Sequence, residues 1–186
     1  MVEVYTINEE IVRQTLEVKF SVNSKTKEEW FISFSNPTAG PWKKIMFITK
    51  DGKTVRIGGY EKEEKRPDLI VFSRTHKLLF IIEAKDYLPE LLKNHDKIEE
   101  TFAKEYDKLS HLPFIKEELS TLFCVNGLVF FSDNIEKDYE KIKRKYKKTD
   151  NLLVFFVVKE GENLIIKIKT EITDKNLAPL KKIIPF

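Results

Sequence analysis

The stretch RPDLIVFSRTHKLLFIIEAKD, residues 66–86, holds two mostly apolar runs, 69–72 and 77–84, joined by the polar residues 73–76. Aliphatic, β-branched and aromatic side chains fill both runs, as they do in buried strands. The short joint makes the pair an antiparallel hairpin. Such a hairpin sets the start of its first strand beside the end of its second. If Phe72 faces Leu78, Asp68 falls opposite Ile82; a slip of one residue sets it opposite Glu83. Directly opposed side chains lie roughly 4.5–5.5 Å apart. Glu83 and Lys85, two apart in a strand, share a face with Leu79 and Ile81. Asp68, Glu83 and Lys85 are therefore expected to converge at one end of an apolar hairpin.

Two carboxylates that close repel unless positive charge lies between them. Lys85 supplies part of that charge, and a hard divalent cation would supply more. Mg²⁺ is usually held by one or two carboxylates and keeps several waters. A metal so placed lowers the pKa of a bound water and stabilises charge on a phosphoryl oxygen. Lys85 would then orient the attacking water or help deprotonate it. The plainer alternative is a salt-bridge cluster at a sheet end, with Pro67-Asp68 as an ordinary turn. Three details favour the metal: the proline before Asp68, the apolar strand running straight into Glu83, and the hairpin register.

These residues resemble the PD-(D/E)xK nuclease superfamily. Pro67-Asp68 matches its first half and Glu83-Ala84-Lys85 its second, with fourteen residues between. The resemblance implies an α/β fold, a three-layer sandwich around a mixed central sheet, the core of restriction endonucleases. It implies that Asp68 and Glu83 bind Mg²⁺, that the backbone carbonyl of Ala84 is a further metal contact, and that Lys85 serves the water.

The chain has 186 residues, which suits one domain with a substantial core. Residues 1–186 are read as a single nuclease domain, its core roughly 7–131 and its C-terminal additions 132–186. Charged residues reach 34%, yet the net charge is only +3, so a nucleic-acid surface must come from local clustering. The longest apolar run, 152–158, is far shorter than the ~18 residues of a membrane span. The acidic start MVEVYTINEE has no apolar signal region, and no membrane association is expected. The expected location is cytoplasmic. A lone cysteine, Cys124, rules out an internal disulfide and reads as a small core residue.

Before the hairpin, Asn8 is placed to cap a helix whose face carries Val12, Leu16 and Phe20. A second short helix is expected over residues 26–34. Nucleases of this superfamily often add an acidic residue from a helix ahead of the sheet; Glu9, Glu10, Glu17, Glu28 and Glu29 are all candidates. Residues 44–50 and 53–57 flank Asp51-Gly52, a two-residue hairpin signal. The charged segment 61–66 reads as a solvated loop. After Lys85 the pattern predicts one long helix over 89–109, with Pro89 in its first turn. His95 falls in that helix and reads as a surface residue; His76 lies at the far end of the hairpin and His111 in a loop. No spacing among the three fits zinc.

Residues 125–131 read as a strand, 132–134 as an N-cap cluster, and 135–148 as a helix ending in a basic run. That run, Lys141, Lys143, Arg144, Lys145, Lys147 and Lys148, reads either as a solvated end answering the helix dipole or as a phosphate contact. Residues 152–158 read as a strand buried on both faces and 163–170 as a half-exposed strand. Ile183, Ile184 and Phe186 pack back on the domain or bind a partner.

The expected activity is Mg²⁺-dependent hydrolysis of DNA phosphodiesters, leaving a 5′-phosphate and a 3′-hydroxyl as the superfamily implies. Little chain remains for a module that reads bases, and a net charge of +3 predicts feeble independent DNA binding. In length and layout the chain resembles the small cleavage subunit of a heterodimeric type IIS restriction endonuclease. That resemblance implies a larger DNA-recognising subunit as partner and a monomer when alone. A homodimeric junction-resolving or repair nuclease and a catalytically silent docking module are the alternatives.

Overall fold

The computed structural model describes residues 30–34, 45–48, 54–57, 67–73, 77–110, 123–172 and 178. They form an α/β unit on a mixed sheet of eight strands. In chain order the strands are β1 (Trp30–Phe34), β2 (Ile45–Ile48), β3 (Thr54–Ile57), β4 (Leu69–Ser73), β5 (Leu78–Tyr87), β6 (Phe123–Phe131), β7 (Leu152–Glu160) and β8 (Asn163–Thr170). Three helices are described: α1 (Leu88–Lys93), α2 (His95–Ser110) and α3 (Ile135–Lys145). None is long and apolar enough to cross a membrane. Strand order is β3-β2-β1-β4-β5-β6-β7-β8. Only β5, β6 and β7 pair in parallel; every other neighbour is antiparallel.

The parallel centre explains where the helices lie. The crossovers β5→β6 and β6→β7 both step in the same direction across the sheet. Right-handed crossovers in one direction deposit their helices on one face. Leu91 of α1, Ile98 and Phe102 of α2 and Ile142 of α3 accordingly pack with Leu79, Ile81, Leu128, Phe130, Val154 and Phe156. The alternate residues Phe80, Ile82, Val125, Val129, Phe155 and Val157 form a second buried cluster on the other face. A sheet buried on both faces needs continuous apolar strands, which is how β5 and β7 read. Gly127 keeps the centre tight. A Cβ there would lie 2.9 Å from Ile82 Cγ1 and 3.1 Å from Phe155 Cε2.

Several expectations need correction. Residues 30–34, placed in a helix, form β1 between β2 and β4, because Trp30, Phe31, Ile32 and Phe34 suit a paired strand. β2 and β3 pair antiparallel, with Ile48 opposite Thr54; the expected turn at Asp51-Gly52 lies outside the described residues. The single helix over 89–109 is two helices broken at Asn94. Asn94 donates both its backbone N–H (3.1 Å) and its side-chain amide (2.9 Å) to the Glu90 carbonyl. The helix over 135–148 stops at Lys145, and Asn134 caps its start by accepting the Lys137 N–H at 3.1 Å. β7 and β8 continue the same sheet beyond residue 131, the expected end of the core. The expected Asn8 helix, the acids Glu9, Glu10, Glu17, Glu28 and Glu29, the loop 61–66, His76, His111 and the tail from 179 lie outside the described residues.

Candidate active site

The β4–β5 hairpin adopts the second of the two registers considered. Phe72 pairs with Leu79 and Leu69 with Ile82, so Asp68, just ahead of β4, stands level with Glu83. Both acids are buried, Asp68 at 7% and Glu83 at 1% exposure. Asp68 Oδ2 accepts the backbone N–H of Ala84 at 2.7 Å. That bond fixes the first carboxylate against the strand that carries the second.

Lys85 closes the group. Its Nζ lies 3.1 Å from Glu83 Oε1 and 3.8 Å from Asp68 Oδ2, and donates to the Ala84 carbonyl at 2.9 Å. The side chain is 14% exposed, so the cluster touches solvent only at its edge. Asp68, Glu83, Ala84 and Lys85 are thus brought together as the sequence predicts. Lysine is strongly hydrated, and its ammonium is buried here at the expense of that hydration. The two anions beside it offset the loss, as paired charges must in a protected site.

A feature absent from the sequence reading lies at Lys85 and Asp86. β5 pairs in parallel with β6 through Glu83–Leu128 and Ala84–Val129, and resumes at Tyr87–Phe131. Three steps on β5 match two on β6, so one extra residue sits at 85–86. Such a bulge bends its strand and re-aims a side chain. Beyond it Tyr87 meets Phe131 edge to face, with ring centroids 6.5 Å apart. No local residue signal marks the bulge; it depends on the β6 register.

The helix end after β5 is tied off around the same region. The last carbonyls of a helix lack intrahelical partners. Tyr146, just past α3, donates its hydroxyl to the Leu91 carbonyl at 2.7 Å. His95 Nδ1 lies 3.1 Å from the Leu92 carbonyl, its Nε2 lies 3.1 Å from Asp96 Oδ1, and its ring meets Tyr146 at 6.2 Å. His95 is half-buried here, with its side chain 18% exposed, where the sequence suggested surface. Burial raises the Tyr146 phenol well above its ordinary range, and the Glu83 and Glu99 carboxylates push it further the same way. Tyr146 therefore feels the charge of Glu83 while it anchors α1.

The donor set tests the metal expectation. Asp68, Glu83 and the Ala84 carbonyl offer oxygen alone, the chemistry Mg²⁺ demands. Among the described residues no group of three or more His, Cys, Asp or Glu side chains is gathered to hold a metal. A cation at this site would have two carboxylates and one carbonyl. That set fits a hard, water-retaining ion and not zinc.

Part of the basic run is paired with acids. α3 follows β6 and leads to β7. Lys143 pairs with Glu171, and Lys141 Nζ lies 3.7 Å from Asp138 Oδ1. Comparison of the chain with known protein families, characterised proteins and solved structures returned no match.

Proposed function

We propose that this chain is a Mg²⁺-dependent DNA endonuclease of the PD-(D/E)xK kind, with the three-layer α/β/α arrangement of that superfamily. We read it as a cleavage subunit working beside a larger chain that recognises the DNA site. The observation that carries this reading is the convergence of Asp68, Glu83 and Lys85 at the end of a buried hairpin. Asp68, Glu83 and the Ala84 carbonyl would hold the ion, which supplies a Lewis acid for the phosphodiester and a more acidic water. Lys85 holds and orients that water with its ammonium. The Ala84 N–H keeps Asp68 aimed at the strand that carries Glu83. The low net charge supports dependence on a partner for DNA binding.

One observation favours a second reading. Lys85 contacts both carboxylates, so the cluster is charge-compensated by the protein's own residues. A silent docking module with a structural ion cluster would look the same.

Plasmid cleavage in Mg²⁺ separates the two. Wild type and Glu83→Ala are each assayed alone and with a candidate large subunit or cell extract. Cutting that needs the added fraction and disappears in Glu83→Ala supports the cleavage subunit. Cutting by the chain alone points to a self-sufficient nuclease. No Mg²⁺-dependent cutting under any condition leaves the docking module.

A further inference from the structure

The Lys85 ammonium touches the same three groups that the reading above assigns to a divalent ion. It lies 3.1 Å from Glu83 Oε1, 3.8 Å from Asp68 Oδ2 and 2.9 Å from the Ala84 carbonyl oxygen. Resting on that reading, we propose that Lys85 is a resident cation in the metal seat, and that a divalent ion binds by displacing it.

The argument is one of shared space and shared charge. Ion and ammonium need the same oxygens, and like charges cannot share so small a volume. Both carboxylates are almost fully buried, so neither turns to solvent to serve a second cation. Lys85 can move where they cannot: its long stem of four carbons is flexible, while each carboxylate sits on a short side chain. Once displaced, Lys85 would be available to orient the attacking water. Lysine and metal thus take turns at one carboxylate pair. The seat is never an uncompensated pair of buried anions, and metal entry sets Lys85 free for the water.

The test measures Mn²⁺ binding, by the electron paramagnetic resonance of the free ion, for wild type, Lys85→Gln and Glu83→Gln. Each is measured at low ionic strength and at about 1 M, where charges act over only about 3 Å. Displacement predicts that Lys85→Gln binds Mn²⁺ about tenfold tighter or better at both ionic strengths, and that Glu83→Gln loses binding. An affinity within twofold of wild type, or weaker, overturns the proposal and leaves the nuclease reading standing. A gain that vanishes at high salt also overturns it, since the effect is then distant charge. No Mn²⁺ binding by wild type or Lys85→Gln overturns both. A second measurement needs no variant to fold. In the wild-type protein, the Lys85 ¹⁵Nζ resonance should be protected from water exchange until Mg²⁺ is added and exposed afterwards. Protection that persists with Mg²⁺ bound overturns the displacement.

Discussion

Asp68 Oδ2 accepts the backbone N–H of Ala84 at 2.7 Å, tying a side chain ahead of one strand to the main chain of its neighbour. The bond joins fold and site: the group that aligns the hairpin end is also a candidate ligand. Asp68→Ala leaves a buried N–H without this acceptor and should cost about 1–3 kcal/mol. Asp68→Asn keeps an acceptor and should cost less than half as much. Urea unfolding of the two variants gives the comparison, and equal losses would deny the hydrogen bond its role. Under the proposed nuclease function, both variants should lose Mg²⁺-dependent cleavage.

Gly127 lies where β6 passes between Ile82 and Phe155. Gly127→Ala places a methyl 2.9 Å from Ile82 Cγ1 and 3.1 Å from Phe155 Cε2. Neither is the free end of a flexible chain. The substitution should destabilise by about 1–3 kcal/mol through overpacking. Because Ile82 precedes Glu83, the proposed cleavage should fall too. Thermal unfolding decides the first point, and an unchanged midpoint would mean the strands part at no cost.

Tyr146→Phe removes the donor to the Leu91 carbonyl and keeps the ring. A loss of about 1–3 kcal/mol is expected, with faster amide exchange across α1 than across β6. The Tyr146 phenol is held well above its ordinary range by burial and by Glu83. A tyrosine with a raised folded-state pKa supports the fold below pH 10 and loses that support as pH rises further. The stability advantage of wild type over Tyr146→Phe should therefore shrink as pH rises above 10, as urea unfolding at each pH would show.

Cys124 lines a cavity of about 270 Å³ with Phe102, Tyr106 and Asn126. Burial pushes its thiol from the usual 9.0 up to about 12. The thiolate is the reactive form. At pH 8 iodoacetamide should label the native protein at least ~100-fold more slowly than the unfolded chain. The thiol's contribution to stability is complete below pH 9 and is lost between there and about 12. Native labelling as fast as unfolded labelling at pH 8 would contradict the raised pKa.

The site was more legible in the sequence than the architecture around it. Asp68, Glu83 and Lys85 sit in one hairpin, so their meeting follows from strand periodicity and a choice between two registers. Glu83 fell on the right face because Leu79 and Ile81 share it. What escaped was non-local. β1 resembled a helix end, because pairing with β2 and β4 cannot be seen from Trp30 to Phe34 alone. The break at Asn94 depends on which carbonyls find partners, and one of those partners, Tyr146, is 55 residues from Leu91. The bulge exists only relative to β6.

That bulge interrupts the ladder directly after the carboxylate-bearing segment. Deleting one residue at 85–86 would let β5 and β6 pair without interruption from Leu78 to the strand's end. Asp68 and Glu83 would keep their register, while Tyr87 and the α1 helix behind it would move by one residue against β6. An insertion or deletion at this point therefore divides the chain into a part that stays aligned and a part that shifts.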